Sequence, residues 1–544
     1  MPAPSLRWKR YDVPVRGPSP LRAVDAAAAP PAAMTSVHLP DLTEWPAPID
    51  KARILLESAA EVEHALMVQY LYAAYSLRDR DEVAEPAQQD ALDPSIDGAW
   101  PRVLLDVARE EMGHLMTVEN LLLLLGFPPN LEREDFPPRK DLYPFALHLE
   151  RLSQRSLAKY VVAESPAGAT GIDDVVALAR ESAGQDINRV GVLYGLLGLV
   201  FTAERAGGGS GDAAWDEMVA TLAEAAYQQA PPEAWHLPDD AFHPASVDQQ
   251  GAPEDWQVSG LRVHRVADRA AAVQAIRDVG EQGEGPTGGD APSHYARFLA
   301  MYRGGAGLPP FPADGEWTPT RDVPTDPTVE ALADPRTRRW AELADLRYAL
   351  LLGFVEDLLL PGARRPLLVG WIFAEMRSRL AVIARRLTTM PRGAGGGVAA
   401  VPFTLPAELH LPTDEAARRE VHAARTQAAI AKIEDLRAGD AADRDDPFLV
   451  GLLAADRARL AFLRTPSETT SFVRDILPLF RPKDIGHMRG DVDLDSYDAV
   501  RAQADSVLKR VRSAGRPMPP RPDQRWTVGQ TDLFARWMAE GFPE

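Results

Sequence analysis

Two long apolar helices that carry charged side chains on their apolar faces constrain this chain more than any other feature. Residues Val103–Leu125 read VLLDVAREEMGHLMTVENLLLLL. Leu, Ala, Glu and Met dominate and no proline or paired glycine interrupts them, so helix is the expected state. Leu104, Val107, Ala108, Met112 and Leu115 recur at steps of three and four, which turns one face toward a core. Glu111 and His114, three apart, share a helical face. Residues Glu61–Leu77 (EVEHALMVQYLYAAYSL) form a second such helix, with Glu63 and His64 among Leu66, Met67, Tyr70, Leu71 and Tyr75. A carboxylate inside such a stripe needs a partner or a metal, because burying an unpaired charge is expensive.

Two readings of that pattern stand side by side. In four-helix carboxylate bundles the first helix supplies a Glu and the second a Glu-x-x-His to iron or manganese, and the order here is the same. Alternatively, Glu63 salt-bridges Arg109 or another base, Glu111 is salt-bridged, and His114 is a hydrogen-bonded core residue.

Composition narrows the choice. A chain of 544 residues is too long for one core, so two or three domains are expected. A formal net charge of −20 argues against general binding to nucleic acid or to anionic membrane. The absence of cysteine excludes disulfides, thiolate metal sites and cysteine nucleophiles. A metal must then be held by His, Asp and Glu, which suits iron, manganese or zinc. The most apolar uncharged run, Val190–Ala203, is shorter than the ~20 residues of a membrane span. No secretory core follows the basic N-terminus, and a cytoplasmic protein is expected.

The fold class expected is all-α, a helical bundle with a helical extension and a small, mainly helical C-terminal module. Residues 1–35, rich in Pro and Ala, read as a flexible arm. The bundle spans residues 36–310. Its helices are Asp50–Arg78, Trp100–Leu125 (stopped by Gly126 and two prolines) and Ile187–Glu204, with a short amphipathic helix at Leu149–Tyr160. Ala206–Glu254 reads as a long insertion holding Trp235, His236, Phe242 and His243, for which packing is the simpler role. Trp256–His264 alternates like a short strand, and Ala267–Gly280 is helical. Glu281, Glu284 and His294 are candidates from a fourth element. Residues 311–405 carry two further helices, Thr337–Leu360 and Leu367–Thr389, as an extension of the bundle. Residues 406–544 form the C-terminal module.

Four ordered motifs, EVEHALMVQYLYAAYSL, REEMGHLMTVENLLLLLG, VGEQGEG and SHYARF, resemble the ferritin-like domain of the iminophenyl-pyruvate dimer synthase family. That family includes enzymes that couple imino-indolepyruvate in bisindole pigment pathways. The resemblance covers roughly Val37–Leu405. It implies a ferritin-like bundle and oxidative chemistry on an amino-acid-derived small molecule in secondary metabolism. It implies a metal set of Glu63, Glu111, His114, Glu284 and His294, around one or two irons, with manganese as the other ion. The third helix departs from the pattern. Where the family resembles Ile-Gly-Glu-x-Tyr, Val192 stands at the acidic position, and Ala291 stands at another often acidic place. Either one metal binds, or Glu281 or Asp290 is recruited, or the site has decayed. The last segment resembles the tail of small cytochrome c domains through Asp475–Phe480 and Met518–Pro520, without the haem attachment motif.

The expectation is therefore a non-haem metal oxidase or oxygenase, in its narrow form an imine-coupling enzyme. The competing expectations are a metal-depleted scaffold or binding protein of a biosynthetic complex and a metal-dependent hydrolase. The partner expected is a small molecule, without nucleic acid or membrane, and the large apolar helical surfaces allow a homodimer.

Overall fold

A computed structural model of the chain describes residues 7–14, 34–138, 143, 145, 147–166, 169–185, 187–203, 213–256, 261–284, 292–305, 307–313, 317–362, 365–464, 470–481, 484–485, 488, 492–513, 518–521 and 524–544. It divides into two compact units: residues 1–248 with 265–320, and residues 249–264 with 321–544. The cut falls near residue 320 rather than 310. The expected extension and C-terminal module lie in one unit because their helices pack directly on each other.

The first unit begins with strands β1 (Trp8–Pro14) and β2 (Met34–Pro40), paired antiparallel with Tyr11 opposite Val37. The expected flexible arm thus contains a paired strand. A single strand with no apolar alternation gives no local signal, and its partner lies about twenty residues away. Eight helices then matter for the site: α1 (Pro48–Ser76), α2 (Trp100–Leu124), α3 (Gln154–Ala163), α4 (Asp173–Ala183), α5 (Gly191–Phe201), α6 (Ala213–Ala226), α7 (Arg269–Glu284) and α8 (His294–Arg303). Helices α1 and α2 pack along each other, α5 packs on α1 and α7, and α3 packs on α8. This is the helical bundle expected.

Local chemistry sets the helix ends. Pro48 and Pro101 open α1 and α2, where a missing N–H costs nothing. Helix α2 closes as a Schellman turn. Gly126 takes φ +78° and donates to the Leu123 carbonyl at 3.0 Å, while Phe127 donates to that of Leu122 at 3.0 Å. A Cβ at Gly126 would sit 3.0 Å from the His243 ring, so the glycine is needed for both backbone and space. Ser153 and Ser156 cap α3 reciprocally, and Ser293 caps α8, whose first residue is His294.

Two expectations fail here. The stretch Ala206–Glu254 is not one loop: α6 occupies part of it, and Trp215 from α6 packs against Gly198 and Gly280. Trp235 and His236 are packing residues; His236 Nδ1 lies 2.8 Å from the Thr202 carbonyl. The strand at Trp256–His264 is absent among the described residues. Pro253–Trp256 is a 3₁₀ turn, 261–264 are irregular, and 257–260 lie outside the described residues.

The second unit contains α9 (Pro335–Leu358), α10 (Arg365–Phe373), α11 (Ala381–Leu387), α12 (Glu415–Gly439), α13 (Pro447–Arg464) and the terminal α14 (Val528–Ala539). A π-helical segment, Ala374–Leu380, joins α10 to α11. Helices α9, α12 and α13 pack around a fully buried Arg347, which donates to Glu375 at 2.7 Å and also to Asp456. Phe472, Ile476, Phe534 and Trp537 centre a smaller core near the C-terminus. Among the described residues, no helix is long and apolar enough to cross a membrane.

Candidate metal centre

The bundle brings four elements to one buried point in the first unit. Helix α1 presents Glu63, α2 presents Glu111 and His114, the C-cap of α3 presents Glu164, and the start of α8 presents His294. Each is at most 4 % exposed. One ligand-capable atom from each of Glu63, Glu111 and His114 lies within 4.8 Å of the others, and the same holds for Glu111, Glu164 and His294. Glu111 belongs to both triads. Glu63, Glu111, His114 and Glu164 line a cavity of about 10 Å³ together with Tyr194 and Gly283.

Hydrogen bonds around this point leave the inward atoms open. His114 Nε2 lies 3.2 Å from Gln282 Oε1, and its Nδ1 lies 2.8 Å from Glu111 Oε2 and 3.4 Å from Glu63 Oε2. His294 Nε2 lies 2.9 Å from Glu110 Oε2, and Arg297 holds that Glu110 carboxylate with both terminal nitrogens. Its Nδ1 faces Glu111 Oε1 at 3.1 Å and Glu164 Oε2 at 3.7 Å without making a hydrogen bond. The Tyr70 hydroxyl donates to Glu164 Oε1 at 2.7 Å, and the Tyr194 hydroxyl donates to Glu63 Oε1. Glu63 Oε2, Glu111 Oε1 and His294 Nδ1 are buried and lack a hydrogen-bond partner. Such atoms are costly to leave unmade.

The charges respond to one another. Burial, together with the neighbouring Glu111, pushes Glu63 up to about 8. Burial would also raise Glu111, but His294 and His114 outweigh it and hold that carboxyl well below the usual range. Burial opposes charge on His114, yet Glu111 and Glu63 lift it to about 10. His294 is likewise raised well above its ordinary value against burial, by Glu111 and Glu110. Protons on the two imidazoles thus offset the carboxylates where a cation would do the same.

The residues fit a metal. Three carboxylates and two imidazoles converge, Glu63 Oε2, Glu111 Oε1 and His294 Nδ1 make no hydrogen bond, and Tyr70, Tyr194, Gln282 and Glu110 hold outer atoms of Glu164, Glu63, His114 and His294. Second partners of this kind fix the tautomer and orientation of metal-ligating groups. Gly283 permits the arrangement, since a Cβ there would meet Glu164 Oε2 at 3.0 Å.

Of the residues expected from sequence, the structure brings together Glu63, Glu111, His114 and His294. Glu284 is the last residue of α7, and its side chain lies outside the described residues. Glu281 pairs instead with Arg277 at 3.5 Å. Asp290 and Ala291 lie outside the described residues. Arg109 pairs with Asp106, not with Glu63. His64 is a core histidine whose Nδ1 meets the Leu131 carbonyl at 2.9 Å. Val192 lies on α5 away from the centre, and Glu164, unremarked in the sequence, supplies a third acid. The missed signal was the stripe Leu157, Tyr160, Val161 continuing to Glu164, four residues beyond Tyr160.

The family described as Ferritin-like matches residues 56–303, the stretch that holds every residue of the centre. This stretch is a ferritin-like domain. Two curated relatives share sequence with the chain. Dichlorochromopyrrolate synthase of Lentzea aerocolonigenes is 28 % identical over 417 residues, which cover 68 % of this chain and 37 % of that protein. A 2-imino-3-(indol-3-yl)propanoate dimerase of Chromobacterium violaceum is 40 % identical over 85 residues, 13 % of this chain and 8 % of that protein. The matched stretches therefore span little more than a third of the relatives' length at most. Both relatives are named as enzymes of small-molecule chemistry, in accord with an enzymatic reading of this protein. No solved structure matches the chain.

Proposed function

We propose that the ferritin-like domain binds two metal ions, iron in the first place, which Glu63, Glu111, His114, Glu164 and His294 would hold, and that the protein is an oxidoreductase acting on an amino-acid-derived small molecule. The observation that carries this reading is the pair of buried triads sharing Glu111, with Glu63 Oε2, Glu111 Oε1 and His294 Nδ1 lacking a hydrogen-bond partner. Glu63 and His114 would hold one ion, Glu164 and His294 the other. Bound there, a redox-active ion supplies dioxygen activation.

The chain's own residues have separate tasks. Gln282 and Glu110 accept from the Nε2–H groups of His114 and His294, which turns both Nδ1 atoms inward. Arg297 keeps Glu110 ionised, and that carboxyl is held down to about 2 against burial by His294 and Arg297. Tyr70 and Tyr194 bind one oxygen of Glu164 and Glu63 and leave the other for a ligand. Burial keeps both phenols protonated, as hydrogen-bond donors.

The finer reading takes its substrate from the name of the Chromobacterium violaceum relative, a 2-imino acid with an aromatic side chain. Joining two such molecules through a new carbon–carbon bond releases two protons and two electrons, and dioxygen accepts them to give hydrogen peroxide.

Elemental analysis of protein produced with iron and manganese tests the centre, and an oxygen electrode with 2-imino acids generated in situ tests the chemistry. About two ions per chain and substrate-dependent oxygen uptake are expected. A folded protein without metal would sink the proposal in favour of a scaffold. Bound metal with substrate turnover but no oxygen uptake would point to a hydrolase.

A further inference from the structure

A second, larger cavity of about 600 Å³ opens in the first unit next to the carboxylate centre. That volume lies within the ~300–1,000 Å³ of small-molecule sites. Neighbouring residues of the same strips of chain line the two cavities. Val190 and Gly191 line the small one, while Arg189 and Val192 line the large one. On the α3 side the same alternation holds, with Val162 facing the large cavity and Glu164 the small one. The two sides are stitched together, since Val190 donates its N–H to the Ala163 carbonyl at 3.1 Å.

Chemistry distinguishes the parts of the large cavity. Val162, Val176, Ile187, Val192, Met218 and Leu222 give it apolar walls able to take an aromatic body. Arg180 and Arg189 line it against one carboxylate, Glu217, and His38 adds a titratable group. Arg189 is anchored through its Nε, which donates at 3.1 Å to Ser165 Oγ, and Ser165 follows Glu164 directly. Ser165 in turn donates to the Val162 carbonyl at 2.8 Å. The arginine is therefore fixed to the strip of chain that carries an acid of the centre, and a guanidinium is suited to forked recognition of a carboxylate.

We propose that this cavity is the substrate chamber of the centre, that it takes an aromatic 2-imino or 2-oxo acid, and that Arg189 binds the substrate carboxylate. The proposal rests on the reading of the centre given under Proposed function. It gives Val192 a role in place of a lost acid. Valine at that position adds apolar wall to the chamber.

The test uses the full-length, metal-stripped protein and the stable probe indole-3-propionate, with indole as the probe lacking a carboxylate. Binding is read by titration calorimetry. The wild type is expected to bind the acid more tightly than indole. Arg189→Gln, shown to be folded by circular dichroism, is expected to weaken acid binding about 10- to 100-fold and to leave indole binding little changed. Arg189→Lys, which keeps the charge but not the fork, is expected to fall between and covers a Gln variant that misfolds. No binding by the wild type at millimolar acid, acid bound no better than indole, or acid binding unchanged in the variants would overturn the proposal. Metal content is measured on separate, metal-loaded samples. Absence of metal with Arg189-dependent acid binding sinks the metal reading alone. Bound metal with Arg189-independent binding sinks the chamber alone.

Discussion

Replacing Glu111 with glutamine tests the centre at the one residue that both triads share. The shape is kept and the charge is lost. Glu111 is 2 % exposed, and two imidazoles lean on it, His114 at 2.8 Å and His294 at 3.1 Å. The lift of His114 from its ordinary 6.5 to about 10 amounts to ~5 kcal/mol of net preference for the charged ring. Glu111 and Glu63 provide that preference against burial, so a part of it goes with Glu111. Removing one partner of a buried pair costs about 3–5 kcal/mol in general. The metal-free variant is therefore expected to lose ~3 kcal/mol at neutral pH. Native-state hydrogen exchange on the peptide Val103–Leu125 reads this locally, which matters because two units make a single global unfolding energy ill-defined. Metal content is expected to fall from about two ions per chain to none. A Glu111→Gln protein that keeps two ions would refute the shared-ligand geometry, and unchanged exchange in α2 would refute the electrostatic reasoning beneath it.

Three further outcomes follow from the same contacts. Glu164→Gln touches one triad only, so metal content should fall to about one ion per chain; two ions retained would remove Glu164 from the ligand set. Tyr194→Phe removes the donor to Glu63 Oε1 and should weaken metal binding about 10- to 100-fold with the fold intact, as read by competition with a chelator. Glu110, depressed from 4.5 to about 2, gives stability that is present above about pH 4.5 and is lost as pH falls toward 2. Glu110→Gln should therefore cost up to ~3 kcal/mol at pH 7 and progressively less at pH 4 and pH 3; a pH-independent difference in exchange would contradict the assignment.

Much of the bundle was legible because its helices are long and strongly periodic. The α2 stop at Gly126 could be read to the residue, since the glycine and the following prolines are local signals. Four of the five expected site residues meet for the same reason, because each sits on an apolar face where charge is conspicuous. What escaped depends on tertiary contact. Glu164 follows the last turn of a ten-residue helix, and nothing local shows that the α3 terminus points into the bundle. Tyr70 and Tyr194 read as ordinary core aromatics until their hydroxyls are placed beside carboxylates. The strand β1 and the helix α6 were missed because one depends on a distant partner and the other sits between glycine- and proline-rich stretches. The expected extension and the expected terminal module lie in one compact unit, where α9 packs on α12 and α12 on α13 across the expected boundary.

The arrangement of hydrogen bonds separates a ligand set from a buried salt-bridge cluster, and the two units of this chain show both kinds. In the second unit, Arg347 is enclosed by Glu375 and Asp456, and Arg379 and Arg459 crowd the same carboxylates. There the charges point at one another, and the acids are used up by guanidinium donors. In the first unit, protein donors occupy the outer oxygens of Glu63 and Glu164, while Glu63 Oε2, Glu111 Oε1 and His294 Nδ1 make no hydrogen bond and lie only within ion-pair distance of the neighbouring groups of the centre. A cluster built only for packing gains by closing on itself, because each open buried atom costs ~1–3 kcal/mol. Gln282, Glu110, Tyr70 and Tyr194 hold these groups from outside, and a bound cation would take the place of the imidazole protons that offset the carboxylates in the metal-free protein. That reasoning favours a metal-binding enzyme over a depleted scaffold. It also places the departure at Val192 in the larger cavity, outside the ligand set.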